Sequence, residues 1–479
     1  MKSLLSFYSI KLPFYFVYML QQVEYEPAKF SEWLVRLVRK NQPVSTTMIR
    51  KQLVMTKRTR LVLFVSYFYL LATLSITLYL SLIGRVDSWI FSILIWIFLV
   101  PLLLASFLYF LTLFAFKFVV EPEQSRLTIE AEKIFAAHKG VKIAVLGSYG
   151  KTTMKEILNT VLSEGKNVAT TPGNLNVSVS HARFAKKLSG QEEVLIVEFG
   201  EGKPGDITRM AKMLHPDYAI ITGLAPNHLD YYPDIKSIAE DILDIYKFVS
   251  PENIFASGES AMLKEYLPRT SQLFTTKSTL DWRVNDVENS IDGLSFLLEN
   301  SNSKINIRSG LLGTHQVAPL SCAAVLATKL GITTKEIETG ASKTVPHEHR
   351  MYPRFVHGAC LIDDTYNGNL EGLKAGLKLL SEIDGRRKWY VTPGLVDQGS
   401  ETERVHQELG VSIAETSPDI VVLMDNSVRP IIEKTMLEHG YAGELRVEAN
   451  PLEFYTQLEH VVAAGDIVMM QNDWTDNYN

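Results

Sequence analysis

A short stretch between residues 143 and 157 constrains the fold of this chain more than any other part of the sequence. It begins with an apolar, β-branched run at 143–146, continues through a turn that contains Gly147 and Gly150, and ends in a helical pattern that starts at Lys151. A buried strand that leads through a glycine turn into a helix lets backbone N–H groups and the positive end of the helix approach a phosphate. The stretch therefore predicts a nucleotide-binding loop within an α/β domain.

The loop has the spacing G-x-x-G-K-T-T and lacks the longer G-x-x-x-x-G-K-[ST], because Val145 stands at the first glycine position of the longer pattern. Lys151 is expected to reach the terminal phosphates of a nucleotide, and the Thr152 hydroxyl is expected to bind Mg²⁺. An ordinary turn with a glycine–lysine pair is the alternative, and the flanking strand and helix favour nucleotide binding. The candidate nucleotide-binding residues of the loop are Gly147, Ser148, Tyr149, Gly150, Lys151, Thr152 and Thr153.

The composition sets the broad class of the chain. With 479 residues it is too long for one ordinary domain and has room for two soluble domains and a further segment. The net charge of −5 is small, so the sequence indicates no nucleic-acid partner. Cys322 and Cys360, its two cysteines, are far apart and outside any metal-binding spacing, which fits a reducing compartment and excludes a disulfide framework.

Two stretches near the N-terminus, 61–84 and 89–116, contain no charged residue. Each is longer than the roughly 20 apolar residues that cross a bilayer. They predict a transmembrane hairpin with helices at about 61–84 and 89–116; a buried hairpin of a soluble protein is the alternative. Basic residues precede the first stretch and Lys117 follows the second, whereas the link holds only Arg85. By the positive-inside rule, we expect a multi-pass protein of the cytoplasmic (inner) cell membrane whose later domains lie in the cytoplasm.

The first segment, 4–20, is apolar and aromatic, but it is short and is interrupted by Lys11 and Pro13. A third span, an interfacial helix and a signal-like segment are all open alternatives. No small-residue cleavage site follows it, so we expect an uncleaved segment that associates with the membrane. Residues 1–120 are accordingly expected to form a membrane-associated region.

Short apolar strand patterns alternate with helical patterns after residue 121. The patterns at 194–200 and 218–223 follow the nucleotide loop, and the strand patterns restart around Pro346 with runs at 360–364, 389–392, 419–424 and 466–470. This alternation predicts an α/β fold with mostly parallel sheets covered on both faces. We expect a central domain at 121–346 with a nucleotide loop and a smaller, Rossmann-like C-terminal domain at 347–479.

Three candidate residues lie at or just beyond the carboxyl ends of the predicted central strands, where parallel sheets bind ligands. These are Gly147, Glu198 and His228. Glu198 is either a surface acid or a ligand for Mg²⁺, which prefers carboxylate and phosphate oxygens. A lone histidine is more often a hydrogen-bonded loop residue, but the sequence NHLDYYP at 227–233 favours a functional His228.

These motifs together resemble the Mur ligase family, the ATP-dependent amide ligases that build the peptide stem of peptidoglycan. The resemblance runs from about residue 140 to the C-terminus. It rests on the nucleotide loop, on Glu198 in its Glu-x-Gly setting and on His-Leu-Asp at 228–230. Three further segments, TPGNLN at 171–176, GDI at 205–207 and DDTYNGN at 363–369, resemble the members that add D-alanyl-D-alanine to a muramoyl-tripeptide.

The resemblance implies a role for each matched residue. Lys151 and Thr152 would hold the phosphates of ATP and Mg²⁺, with Glu198 and His228 as metal ligands. Arg350 matches an arginine that enters from the domain boundary toward the phosphates, and Asp364 matches an acid that reaches the ribose. Asn174 and Asn176 match residues near the acyl substrate. The implied catalytic residues are therefore Lys151, Glu198, His228 and Arg350; the implied reaction proceeds through an acyl phosphate and uses ATP, Mg²⁺, a muropeptide and D-Ala-D-Ala.

The chain also departs from the family. The family often carries a carbamylated lysine about fourteen or fifteen residues after the histidine, in support of a second Mg²⁺, and those positions are Ile242 and Leu243 here. The adenine motif G-x-H-N-x-x-N appears as GTHQVAP at 313–319, and the apolar N-terminal region stands in place of the usual UDP-binding domain. Two alternatives therefore stay open: a related enzyme that acts on a lipid-linked muropeptide, and a non-catalytic membrane scaffold that organises wall-synthesis proteins.

Overall fold

The computed structural model describes residues 11–23, 25–39, 53–84, 89–173, 175–226, 231–366, 368–395 and 398–472. The chain divides into two compact units, Met1–Arg126 and Leu127–Asn479. The first unit contains α1 (Leu12–Gln22), α2 (Pro27–Arg39), α3 (Lys57–Ile83) and α4 (Trp89–Ala115). A π-helical turn, Phe116–Val120, leads from α4 into α5 (Glu121–Ala137), which enters the second unit.

The helices of the first unit follow the apolar stretches of the sequence. Helix α3 begins after Thr56, whose side chain accepts a hydrogen bond from the Thr59 N–H at 3.1 Å. Helix α3 and the continuous helix Trp89–Ala137 are long and apolar enough to cross a membrane, by length and composition only. A small apolar cluster of α1, α2 and α4 contains Leu12, Phe16, Leu20, Phe30, Leu104 and Leu108.

The second unit is built on a ten-stranded sheet and a six-stranded sheet. The strands of the larger sheet are β1 (Val141–Leu146), β2 (Val168–Thr170), β3 (Val194–Glu198), β4 (Tyr218–Ile221), β5 (Ile254–Ser257), β6 (Gln272–Phe274), β7 (Ser278–Thr279), β8 (Trp282–Ser290), β9 (Gly293–Glu299) and β10 (Lys304–Ser309). Their order is β10-β9-β8-β7-β6-β5-β4-β1-β3-β2. From β2 to β6 all neighbours are parallel, and from β6 to β10 all are antiparallel.

Helices cover the larger sheet. They are α6 (Lys151–Leu162), α7 (Ser178–Ala185), α8 (Asp206–Leu214), α9 (Ile235–Leu243), α10 (Ala261–Tyr266), α11 (Val317–Lys329) and α12 (Thr334–Ser342). Alternate residues of β1 enter different cores: Ile143 and Val145 pack with α6 and α11, whereas Ala144 and Leu146 pack with α8 and α9. Because both faces are buried, β1 reads in the sequence as a continuous apolar run.

The six-stranded sheet has the order β11-β12-β16-β13-β14-β15. Its strands are β11 (Tyr352–Val356), β12 (Ala359–Asp364), β13 (Arg387–Thr392), β14 (Ile420–Met424), β15 (Glu444–Glu448) and β16 (Asp466–Gln471), with helices α13 (Leu370–Glu382), α14 (Thr402–Thr416), α15 (Arg429–Glu438) and α16 (Pro451–Val461). Only the edge strand β11 pairs in an antiparallel manner among these described strands.

The predicted mixed α/β architecture with a large parallel sheet is confirmed. The antiparallel strands β7–β10, which make up four of the ten strands, were not predicted, and neither were the strands β2, β5, β6, β11 and β15. The two cysteines are free and buried, Cys322 on α11 and Cys360 on β12.

Candidate active site

The turn between β1 and α6 has the conformation that the glycine spacing predicts. Gly147 has φ of +131° and Gly150 has φ of +76°. A Cβ atom on Gly147 would lie 2.6 Å from the Thr222 hydroxyl oxygen and 2.8 Å from the Gly223 carbonyl oxygen. The Ser148 N–H donates to that same carbonyl at 2.8 Å, so the end of β4 supports the turn. The close approach leaves room for a glycine only, as in a phosphate-binding turn.

Lys151 begins helix α6 and folds back over this turn. Its Nζ donates to the Gly147 carbonyl oxygen at 2.5 Å and to Oε2 of Glu201 at 2.8 Å. Glu201 follows β3 and is 2% exposed, and its Oε1 has no hydrogen-bond partner among the described residues. The ammonium group predicted to hold phosphate is thus held by a buried carboxylate. Glu201 was not among the predicted site residues, although its position three residues after the strand-end acid Glu198 is visible in the sequence.

Glu198 lies at the end of β3 and is 1% exposed. Its Oε1 accepts hydrogen bonds from the Thr152 hydroxyl at 3.2 Å and from the Asn176 side-chain amide at 3.3 Å. The fold therefore brings together three of the predicted residues, from the nucleotide loop, from β3 and from the segment expected to contact the acyl substrate. Hydroxyl and carboxylate oxygens this close together are the kind of ligand that Mg²⁺ prefers.

Lys155 is a buried lysine that the sequence analysis did not select. Its Nζ lies 3.3 Å from Oε2 of Glu198 and donates to the carbonyl oxygens of Thr171, at 2.9 Å, and of Gly173. It follows Lys151 by one helical turn on the buried face of α6, a position where an amphipathic helix normally places an apolar residue. Lys155 thus neutralises Glu198 and ties the 171–173 segment to the nucleotide loop.

His181 supports Glu198 from α7. Burial lowers the pKa of His181 to about 4, although its hydrogen bond to the Glu198 carbonyl works in the opposite direction. The imidazole is therefore neutral near pH 7, and its Nε2–H donates to that carbonyl oxygen at 2.8 Å. The contact fixes the main chain at the end of β3.

A cavity of about 460 Å³ opens beside the nucleotide loop, a volume within the usual range for small-ligand sites. Its walls include Tyr149, Gly150, Thr152 and Thr153 from the loop, His315 and Gln316 from the start of α11, and Arg350, Asp364 and Tyr366 from the C-terminal part. Lys151, Glu198 and Glu201 do not line it. The predicted loop residues and the predicted C-terminal residues thus meet around one cavity, and the buried carboxylates lie outside it.

Asp364 and Arg350 form the C-terminal wall of this cavity. Asp364 accepts hydrogen bonds from the Gln471 side-chain amide at 2.8 Å and from the Met351 N–H at 3.2 Å. Desolvation by the surrounding protein raises the pKa of Asp364 to about 7, because it outweighs those hydrogen bonds and the nearby charge of Arg350. The Arg350 guanidinium lies 4.8 Å from the centre of the Tyr366 ring.

The altered adenine motif places an amide in the same cavity. Burial lowers the pKa of His315 to about 4, so its imidazole is neutral. Its Nε2 lies 2.9 Å from Nε2 of Gln316, which donates to it, while Oε1 of Gln316 has no partner among the described residues. Gln316 therefore presents a free acceptor in place of the family asparagine.

Two predicted residues, His228 and Asn174, lie outside the described residues. Within the described ranges, no group of three or more His, Cys, Asp or Glu side chains could hold a metal ion by itself. Ile242, at one of the two positions of the family lysine, is buried in an apolar core. A Mg²⁺ ion bound at Thr152 and Glu198 would therefore need further ligands, such as nucleotide phosphates.

The chain is similar in sequence to known Mur ligases. Residues 145–327 match the family of the Mur ligase middle domain. The UDP-N-acetylmuramoyl-tripeptide–D-alanyl-D-alanine ligase of Synechocystis is 27% identical over 325 residues, which are 67% of this chain and 67% of that protein. The ligase of the same name from Escherichia coli is 25% identical over 289 residues, 58% of this chain and 63% of that protein.

Solved structures show the same fold. MurF ligase from Thermotoga maritima in complex with ADP has a TM-score of 0.62 and 24% identity, and the match covers 73% of this chain and 80% of that one. MurF from Acinetobacter baumannii has a TM-score of 0.62 and 21% identity over 73% of this chain and 77% of that one. The resemblance to Mur ligases that the sequence motifs indicated is confirmed.

The predicted localisation is wrong. We expected a multi-pass protein of the cytoplasmic membrane, but the matched relatives are MurF ligases, which are soluble cytoplasmic enzymes. The expectation rested on helices α3 and α4, and one or two apolar helices are weak support for a span because their length and composition are their only membrane-like properties. An apolar stretch longer than about 20 residues satisfies the length requirement of a bilayer without demonstrating insertion.

Proposed function

We propose that this chain, which carries the middle domain and the fold of the Mur ligases, is an ATP-dependent ligase that joins D-alanyl-D-alanine to a muramoyl-tripeptide. One observation supports the proposal most strongly. The turn between β1 and α6 and the cluster of Thr152, Glu198 and Asn176 lie beside a cavity. Arg350 and Asp364 form the opposite wall of that cavity. The named relatives, matched over about two thirds of their length, support the choice of substrates.

The chemistry requires that a carboxylate oxygen become a leaving group before an amine attacks the carbonyl carbon. When bound, ATP supplies the phosphoryl group that makes this oxygen a leaving group. Lys151 and Arg350 contribute positive charge to the transferring phosphoryl group from two directions. Asn176, held on Glu198 at 3.3 Å, positions the acyl substrate beside that group. No cysteine or serine nucleophile is needed.

The residues present fit a magnesium ion at the phosphate end of the site. The Thr152 hydroxyl and the Glu198 carboxylate are 3.2 Å apart, and both are oxygen ligands of the class that Mg²⁺ prefers. We propose that these two side chains, with His228 as the sequence implies, bind the ion. Bound there, Mg²⁺ would neutralise phosphate charge.

The walls of the cavity suggest how the nucleoside is held. Asp364 would accept hydrogen bonds from the ribose hydroxyls, and Gln316 would offer its free Oε1 to an exocyclic amine of the base. An amide that both accepts and donates suits adenine, whose exocyclic amine and ring nitrogen form the matching pair. This assignment explains how base recognition survives the loss of both family asparagines.

A reconstitution tests the proposed function. Purified full-length protein is incubated with ATP, Mg²⁺, D-Ala-D-Ala and UDP-linked muramoyl-tripeptide, and phosphate release and product mass are followed. We expect phosphate release that requires both the tripeptide and the dipeptide, and a product heavier by one dipeptide minus water. Absence of that product from a folded protein that binds ATP would overturn the proposal.

A further inference from the structure

The Lys151–Glu201 pair lies at the phosphate-binding turn, yet no step of the proposed reaction uses Glu201. Its side chain is 1% exposed and the Lys151 side chain is 12% exposed. Removing a carboxylate from water is costly unless its oxygens are fully paired, and Oε1 of Glu201 has no hydrogen-bond partner among the described residues. A buried carboxylate with one unused oxygen, facing the phosphate-binding lysine, is a candidate for ligand binding.

Nucleotide phosphate and Glu201 would compete for the same ammonium group. Lys151 Nζ already has two acceptors, the Gly147 carbonyl oxygen and Glu201 Oε2, at 2.5 Å and 2.8 Å. A phosphate that took the place of Glu201 would bring a second negative charge beside a buried carboxylate. Such like-charge proximity is strongly unfavourable where water is excluded, unless a cation lies between the charges.

We propose that Glu201 is a second carboxylate ligand of the divalent cation that accompanies the nucleotide, released from Lys151 when a phosphate takes its place. The inference rests on the nucleotide site of the proposed function and adds a metal ligand to it. Mg²⁺ is commonly bound by one or two carboxylates together with substrate phosphates. Glu198 supplies one carboxylate from the end of β3, and Glu201 supplies another three residues later in the same segment.

Two observations around Glu201 favour this role over a purely structural one. Oε2 of Glu198 likewise accepts no hydrogen bond among the described residues, although it pairs with Lys155 Nζ at 3.3 Å, so Glu201 Oε1 is the carboxylate oxygen of the two that lacks both a hydrogen bond and a nearby lysine. The position that would carry the family lysine is apolar here, because Ile242 is buried among hydrophobic side chains. Within the described residues, that position therefore offers no metal ligand, and Glu201 is a buried carboxylate near the phosphate-binding turn that could serve as one.

The role has a measurable consequence for nucleotide affinity. Without a divalent cation, the phosphates of ADP either displace Glu201 from Lys151 or lie beside it as a like charge, so ADP should bind weakly. With the cation present, the displaced Glu201 carboxylate binds the cation. ADP and the metal should therefore each strengthen the binding of the other. Removing the charge of Glu201 should raise the affinity for metal-free ADP and weaken that coupling.

The test compares full-length wild-type protein, Glu201→Gln and Glu193→Gln. The control is matched, because Glu193 pairs with Lys166 at 3.2 Å at the opposite end of the same strand and is exposed. ADP affinity is measured by calorimetry in EDTA and in Mg²⁺, and Mn²⁺ binding to the ADP complex is measured by electron paramagnetic resonance. We expect Glu201→Gln to weaken Mn²⁺ binding at least about tenfold while metal-free ADP binds more tightly, and Glu193→Gln to match wild type.

Several outcomes separate the alternatives. An unchanged Mn²⁺ affinity and an unchanged ratio of ADP affinities in Glu201→Gln would overturn the inference and leave the ligase proposal intact. Failure of wild-type protein to bind ADP even with Mg²⁺ would overturn the nucleotide site itself, and with it both proposals. If Glu201→Gln does not fold, Glu201→Asp keeps the charge, and its shorter side chain should still lower Mn²⁺ affinity; an unchanged value would again overturn the inference.

Discussion

Two lysines one helical turn apart neutralise the two buried carboxylates of the site. Lys151 pairs with Glu201 at 2.8 Å and Lys155 lies 3.3 Å from Glu198. Both carboxylates are almost completely buried, so each lysine should contribute to stability in addition to any part it has in the proposed reaction. Single substitutions in these pairs should therefore affect two properties that can be measured separately.

Lys155→Met should destabilise the protein by roughly 3 kcal/mol, because it leaves Glu198 buried beside no cation. Lys166→Met is the matched control, since Lys166 pairs with the exposed Glu193 at 3.2 Å. That exposed pair should contribute at most about 1 kcal/mol. Urea unfolding monitored by circular dichroism measures both values, and equal losses in the two variants would contradict the buried-pair argument.

Lys151→Ala should abolish ATP-dependent turnover, because it removes the charge that offsets the terminal phosphate. Phosphate release with saturating substrates measures the effect. Lys166→Ala, in the same domain but at the opposite end of β3, should turn over like wild type. Normal activity in folded Lys151→Ala would remove the nucleotide loop from the mechanism.

Asp364 should make stability depend on pH. Its pKa rises from 3.8 to about 7 in the folded protein, so the folded chain holds a proton there that the unfolded chain releases at lower pH. The protonated group contributes stability that is fully present below about pH 4 and is lost as the pH rises to about 7. Asp364→Asn should remove that part of the pH profile, whereas the exposed control Asp281→Asn should keep it. Urea unfolding at several pH values between about 4 and 8 measures the profiles, and coincident slopes in wild type and Asp364→Asn would contradict the assignment.

The sequence predicted several residues of the candidate site, but it did not predict the charged residues that pair with them. Gly147, Thr152 and Glu198 are recognisable because glycine turns and strand-end acids follow local rules of spacing. Glu201 and Lys155 were missed because charged residues are normally exposed, and only three-dimensional packing reveals that these two are buried. The Lys151–Glu201 pair likewise joins positions fifty residues apart, a relation that local patterns do not contain.

Among the structural elements, the turn between β1 and α6 depends most strictly on its sequence. Gly147 and Gly190 both have positive φ, +131° and +81°, but only Gly147 is crowded by β4. A Cβ on Gly190 would meet nothing within 4 Å. Alanine at Gly190 would therefore introduce backbone strain alone, whereas alanine at Gly147 would introduce both backbone strain and steric overlap.

Gly147→Ala should lose ADP binding and more stability than Gly190→Ala, because its Cβ would overlap the Thr222 hydroxyl and the Gly223 backbone. Gly190→Ala should lower the free energy of unfolding by only roughly 1–2 kcal/mol, which is the cost of a left-handed conformation for an L-residue. Calorimetric ADP titration and urea unfolding measure both effects. Equal losses in the two variants would show that the close approach of β4 is unimportant.

The sheets show where local patterns succeed and fail at this scale. The parallel strands β1, β3 and β4 were predicted because strands buried on both faces read as continuous apolar runs. The strands β8–β10 were missed because the prediction relied on continuous apolar runs, whereas these strands carry charged residues such as Arg283 and Lys304. The alternating burial of β9 and β10 is the period-two pattern of strands with one exposed face, a signal that the sequence did contain.

At the scale of the whole molecule, the second compact unit begins at Leu127 within helix α5, whose Ala131 and Phe135 are completely buried in its core. A fragment of residues 121–479 should therefore fold by itself and keep ADP binding. A fragment of residues 141–479 lacks α5 and should be less stable. Loss of the buried Phe135 side chain alone should lower the free energy of unfolding by roughly 3–5 kcal/mol. Thermal unfolding and ADP titration compare the fragments, and failure of the longer one to fold would contradict the independence of the unit.

The reactivity of the two buried cysteines can be used to measure partial opening of the protein. Cys322 belongs to a core of the ten-stranded sheet and Cys360 to a core of the six-stranded sheet. Burial raises the pKa of both thiols, to about 11 for Cys360, so neither reacts with an alkylating reagent until its surroundings open. The rate of labelling at each thiol then measures the free energy of opening of the core around each sheet separately. Labelling with and without nucleotide would show which of the two cores the ligand protects, without any added probe.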